Sequence, residues 1–342
     1  MFPLSRINLL KLLLILSIFG FLFIAQNNFN DYTIRILNNI AIFIVLAASY
    51  NLINGVTGQF SLEPNGFVAI GAYVTALALL SEDMKWELFQ LEDPHPYILA
   101  LNLDLIPALL LSGIAATVVA VFLATPVFRV RGDYLAIVTL GFGFIIKVIA
   151  INTPEFTNGS IGLNEIPSVI NLYWTGGIAI LTVIFMLNII YSKYGRAMKA
   201  VRDDEDAASA IGINTFKIKT LAFGTSAFFE GVGGGLLAIL LSTISPDLFT
   251  FFLTFQLLII IVLGGLGSMT GAIIGSVIVI GGMEWLRFLD APLSLFGFDF
   301  GSHPGLRMVV FSVLLIIIML FAREGIMGKK ELSDIFKKKG SK

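Results

Sequence analysis

The sequence predicts an all-helical integral membrane protein with about ten transmembrane helices, in a range of roughly eight to eleven. Two observations carry that fold class. Of the 342 residues, 57% are hydrophobic and only 13% charged, where soluble domains run near 25% charged. Apolar stretches of spanning length also recur from end to end, leaving short loops and no room for a separate soluble domain. The chain therefore reads as one transmembrane domain over residues 1–328 followed by a basic tail over 329–342.

Taken in order, the apolar windows lie at 9–25, 34–53, 60–80, 105–127, 134–151, 175–192, 218–242, 249–265, 271–287 and 306–322. The first follows Arg6 and Lys11 and resembles a signal peptide. No small-x-small cleavage site follows it, Ile24-Ala25-Gln26-Asn27 being a poor one, so it reads as an uncleaved helix. Basic residues set the orientation, because Lys and Arg concentrate in short cytoplasmic loops. The segment 193–219, the tail from Arg323, and the turn with Arg129 and Arg131 carry them. The loop 81–104 has only Lys85 among six acidic residues, and the loop 152–174 has no basic residue. Ten spans with both termini cytoplasmic put each of these segments on the expected side. Arg35 and Arg287 are exceptions at outer helix ends, where a long side chain snorkels at low cost.

Composition excludes several functions. Lys+Arg 22 against Asp+Glu 23 removes any basic surface for nucleic acid. Zero cysteines exclude disulfides and thiolate metal sites, and His95 and His303 leave little for a metal centre. Gly264-Gly265-Leu266-Gly267-Ser268 lacks the Gly-Lys-Ser/Thr of a phosphate loop, and no such tripeptide exists elsewhere. The chain is not its own ATPase. Gly267, Gly271 and Gly275 instead fall four apart, as on a helix-packing face. Arg131-Gly132-Asp133 stands at a cytoplasmic helix start, where Asp133 favours the helix N-terminus. Asn158-Gly159-Ser160 matches a glycosylation acceptor in letters only.

Three stretches hold the functional interest. From Tyr194 to Ile213, Ala197, Ala200, Val201, Ala207, Ala208 and Ile211 recur at helical spacing, with Lys199/Asp203 and Arg202/Asp206 four apart and Gly212 as the stop. That pattern describes a charged cytoplasmic helix with a small apolar face, either a solvated connector or a docking helix. Glu63-Pro64 at the start of the third span sets an acid and a missing donor at a depth where broken helices survive only inside protein or beside water. The alternative starts that span at Phe67 and leaves Glu63 in the cytoplasmic loop. Glu230 lies within the seventh span and is expected to face the bundle interior, with Gly231 and Gly233-Gly234-Gly235 permitting close helix approach.

These residues carry a resemblance. Gly195-Arg196-Ala197, then Asp206-Ala207-Ala208 and Gly212-Ile213-Asn214, resemble the coupling loop of ABC importer permeases, and more narrowly the LivM-type permeases of branched-chain amino acid importers. The stretches Gly58-Gln59-Phe60-Ser61-Leu62 with Gly71-Ala72-Tyr73, Arg131 to Gly141, Gly264 to Ser268 and Phe321 to Gly328 are similar to the same family, in its order. The chain departs from it where Glu63-Pro64-Asn65 replaces the usual Gly-His-Ala, and where Phe144 and Lys147 replace a Glu and an Arg.

The resemblance implies an ABC permease bundle in the bacterial inner membrane, multi-pass. It implies coupling to ATPases through Gly195, Arg196, Ala197, Asp203, Asp206, Ala207, Ala208 and Gly212. Candidates for the translocation pathway are Gln59, Ser61, Glu63, Asn65 and Glu230, and candidates for helix packing are Gly233, Gly234, Gly264, Gly265, Gly267 and Gly271. The implied partners are two ABC ATPase subunits, a second related permease, an extracytoplasmic binding protein and membrane lipid. No cofactor is expected on this chain, ATP being bound by the partner subunits, and no metal or catalytic residue is expected. Urea and short-amide importers use similar permeases. A self-contained secondary transporter is a further alternative, although Glu230 and Glu63 are few charges for ion coupling. An intramembrane enzyme lacks a nucleophile-base pair at membrane depth.

Overall fold

The computed structural model describes residues 20, 22–129, 134–290, 293–295, 298–300, 305–328 and 330–331. Most of the first expected span, Arg131-Gly132-Asp133 and nearly all of the basic tail lie outside them. Among the described residues seven helices are long and apolar enough to cross a membrane, and a bent pair makes an eighth.

The first of these, α1 (Asp31–Asn51), is capped by Asn30, whose side chain accepts from Thr33 N, and it ends in a π-helical turn, Leu52–Val56. Next come α2 (Pro64–Leu79) and α3 (Glu82–Leu88), bent by 119° where Ser81 caps the second. α4 (Leu105–Val127), α5 (Tyr134–Asn152) and α6 (Leu172–Tyr191) follow. Two short polar helices, α7 (Lys193–Asp203) and α8 (Glu205–Ala210), lead into the long α9 (Thr215–Leu241). α10 (Phe251–Gly264) and α11 (Met269–Ser276) pack as a hairpin, and α11 runs on to Asp290 through a π-helical turn. A two-stranded antiparallel hairpin, β1 (Leu293–Leu295) and β2 (Phe298–Phe300), precedes α12 (Leu306–Phe321). Helix is the spanning structure because lipid offers no partner to an unpaired backbone group. The windows expected from residue 34 onward each find a helix.

α9 is the central post. It packs against α2, α4 and α1, and most of it is buried. Glycine makes the α2–α9 crossing possible. A Cβ at Gly71 would stand 2.0 Å from the Gly231 carbonyl oxygen, and one at Gly234 would stand 2.1 Å from that of Val68. Gly233 faces Leu46 of α1 in the same way.

The connections gather on two opposite sides. On one, Arg202 Nη1 donates to Gly55 O (3.2 Å), Ile326 N donates to Leu263 O (2.8 Å), and the Glu331 carboxylate receives Met269 N (2.7 Å). On the other, Leu163 and Ile244 form a β-bridge, Asn158 bonds Leu88 and Gln90, and His95 N donates to Glu155 O (3.1 Å). Lys85, the sole basic residue of the acidic loop, is fully buried there, its ammonium donating to the carbonyls of Ile98 and Leu101.

Candidate functional site

Two regions assemble the residues singled out above. The first lies inside the bundle. After the π-helical turn of α1 the chain doubles back, and Thr57 to Glu63 runs inward before α2 begins. Its depth is set by α5. Leu62 N donates to Thr139 Oγ1 (2.8 Å), and the Asn65 amide abuts Gly143, nine residues or about 13 Å along α5. α2 therefore starts well inside the bundle, with Pro64 in its first turn where a missing donor costs nothing. Glu63, the residue just before α2, has no exposed surface there.

Glu63 and Glu230 come together in this interior. Each is fully buried and each lies within electrostatic reach of the other. Ser226 Oγ, one turn below on α9, lies 3.0 Å from Glu230 Oε1 and 2.7 Å from the Ser49 carbonyl oxygen. Both Glu63 oxygens, Glu230 Oε2 and Ser61 Oγ have no hydrogen-bond partner among the described residues. Tyr50 OH donates to Ser61 O (2.7 Å), and Asn54 pairs with Ser61 through both its amide groups, holding the inward run in place. Asn65 serves a different end. Its backbone and amide bond Thr254 Oγ1 and Phe249 O, tying α2 to the start of α10. Gln59 is half-buried on the rim, its N–H donating to Ile53 O (3.1 Å). Of the five pathway candidates the structure thus groups Ser61, Glu63 and Glu230, and sets Asn65 and Gln59 apart.

The second region is the polar segment after α6. The expected single helix is two. Asp204 leaves helical geometry and caps α8 by accepting from Ala207 N (2.9 Å), so the chain turns between α7 and α8. The expected Lys199/Asp203 and Arg202/Asp206 spacing is overridden: Asp203 pairs with Arg202 at 3.2 Å, and Arg202 reaches Gly55 O while its stem covers Gly58. Gly58 and Gly212 both have positive φ, which glycine adopts without strain.

The apolar stripe is also divided. Met198, Val201 and Ala208 are buried against this chain's own bundle, and Gly195 fits beneath the Ile190 carbonyl oxygen. Glu205 pairs with Lys219 (2.6 Å), whose buried ammonium also stands over the Phe128 ring. Ala197 is half-buried; Arg196, Asp203, Asp206 and Ala207 are exposed, as is Ile211 at 76%, and a Cβ at Gly212 would meet nothing. Of the apolar stripe, Ala207 and Ile211 are thereby the exposed members.

The glycine-rich turn differs from expectation in one respect. Gly264 and Gly271 face each other across the α10–α11 hairpin, and Gly275 meets Ile260. Gly267 is not on that helical face. It lies in the turn at φ +88°, its N–H donating to Asn51 Oδ1 (2.9 Å), while Gly265 at φ +118° lies against Gly328.

Comparison with known proteins decides what kind of bundle this is. The family described as "Branched-chain amino acid transport system / permease component" matches residues 32–319. The chain belongs to that family. It is 30% identical over 329 residues to the high-affinity branched-chain amino acid transport system permease protein LivM of Escherichia coli, covering 86% of this chain and 70% of the relative. It is 26% identical to LivH of Salmonella typhimurium, across 92% of this chain and 99% of the relative, and 24% identical to BraD of Pseudomonas aeruginosa, across 89% and 98%. No solved structure matches. Such permease components are transport subunits and not enzymes, and this permease is an integral membrane protein.

Proposed function

We propose that this permease carries branched-chain amino acids inward through the bacterial inner membrane as one transmembrane subunit of an ATP-driven importer. It acts with a second related permease, two ATPase subunits that bind the ATP, and an extracytoplasmic binding protein that delivers the cargo. The observation that carries this reading is the family match over 32–319 together with three relatives, all named as branched-chain amino acid permeases. The structure supports the coupling role of 193–219, because an exposed tip stands on a base latched to the turn leading to Glu63. The side bearing α7 and α8 is assigned to the cytoplasm, with both termini, on the strength of its Lys and Arg.

The test is reconstitution. The chain, co-expressed with the transport genes beside it and placed in proteoliposomes with the binding protein, is expected to show ATP-dependent uptake of labelled leucine, isoleucine and valine. Uptake of urea or acetamide in their place would reassign the cargo. Uptake without ATP or ATPase subunits would make the chain a self-contained carrier.

A further inference from the structure

A cavity of about 670 Å³ opens between the outer ends of α1 and α9 and the far end of the α11 span. Its volume lies within the roughly 300–1,000 Å³ of small-molecule sites. Its position is central, over the largely buried α1 and α9, and Leu241 on its wall stands eleven residues, about 16 Å, along α9 from Glu230.

The lining carries three kinds of chemistry. Arg35 is exposed and has no acceptor among the described residues. Glu284 is held from one side only: Tyr32 OH and Arg287 Nη1 (2.8 Å) both donate to its Oε1, and Arg287 stands over the Tyr32 ring. Its Oε2 has no hydrogen-bond donor among the described residues. Tyr32 and Arg35 are one helical turn apart on the same face of α1, and the guanidinium and the pinned carboxylate both line the cavity. Apart from Asn39, the remaining wall is aliphatic: Ile36, Leu240, Leu241 and Ile280.

A free cation, a spare carboxylate oxygen and an aliphatic wall in one small cavity complement a zwitterion with a branched apolar side chain. We propose that this cavity is a receiving site for aliphatic amino acids. Arg35 takes the α-carboxylate, Glu284 takes the α-ammonium, and Leu240, Leu241 and Ile280 take the side chain. The site rests on the amino-acid reading above and adds to it that this chain itself recognises the backbone charges of the cargo. Urea has neither charge and would gain nothing from Arg35.

The experiment uses the purified complex of both permeases and both ATPases, without binding protein, and photo-leucine as the probe. After irradiation, adducts are expected on peptides holding Leu240, Leu241 or Ile280. Leucine and isoleucine should compete them away, and leucinamide, which lacks the carboxylate, should not. Arg35→Gln should cut labelling about tenfold or more, the size of one lost charge-assisted hydrogen bond, with Arg35→Lys intermediate and the four-subunit complex eluting intact on gel filtration in both. Absence of adducts on these peptides overturns the proposal, as does equal labelling of Arg35→Gln or equal competition by leucinamide. Labelling blocked by added phosphatidylethanolamine but not by leucine also overturns it, making the cavity a lipid headgroup site. Leucine uptake in proteoliposomes separates the two readings: uptake with no label in the cavity removes this site alone, whereas no branched-chain uptake removes the cargo assignment.

Discussion

Glu230 and Glu63 were visible as acids among apolar residues, yet their meeting was not, because 167 residues separate them and no local pattern announces the inward run from Thr57. An acid at membrane depth costs about 2.5–3.5 kcal/mol on insertion scales, so two of them fully buried in one bundle interior are retained against a physical penalty. Glu230→Gln keeps the shape and removes the charge. It is expected to leave membrane abundance at the wild-type level and to lower uptake; normal uptake with normal assembly would reduce Glu230 to a packing residue. The glycines divide as sharply. Gly71→Ala drives a methyl into the Gly231 carbonyl and should cost about 1–3 kcal/mol as overpacking, whereas Gly177→Ala enters open space. Thermal unfolding of the two variants should show a clear loss for the first and none for the second. Lys85 and Asn158 escaped notice in the sequence for a plain reason. A buried lysine bonded to two carbonyls and a loop asparagine with three partners carry the same letters as their solvated counterparts.

Helix periods were legible almost throughout, since each apolar window from residue 34 on became a helix with bounds within a few residues. What periodicity could not say is which way an amphipathic face points. The stripe of 194–213 reads identically whether it meets its own bundle or another subunit, and the structure spends Met198, Val201 and Ala208 inward. The break at Asp204 had a signal, an Asp three residues before the Ala207 N–H it caps, but the charge spacing favoured one continuous helix. Two substitutions separate the faces. Ala208→Arg buries a charge without a partner, a penalty of a few kcal/mol, and is expected to lower abundance of the permease itself. Ile211→Asp alters only the exposed tip. It should leave abundance normal and weaken retention of the ATPase subunits on co-purification; unchanged retention and unchanged uptake would make 193–219 a connector.

At the scale of the molecule, the two-sided sorting of connections matches the charge distribution read from the sequence. Native cysteine is absent, so single introduced cysteines report sidedness cleanly. Asp93→Cys, on the acidic side, should react with an impermeant thiol reagent in intact cells, and Ser209→Cys should not; the reverse pattern would invert the bundle. Both positions are exposed, which Asn158 is not. The crossing of α2 with α9 also bears on how the chain is made. At about 5–20 residues per second, the ribosome delivers Glu230 roughly 10–30 s after Glu63. Through that interval the third span has entered the membrane without the helix whose glycines receive it and whose Glu230 acts electrostatically on its acid. The segment synthesised early is therefore among the last to settle. Stalled nascent chains ending before residue 215 should leave Glu63 open to carboxyl-modifying reagents, and chains extended past 241 should close it.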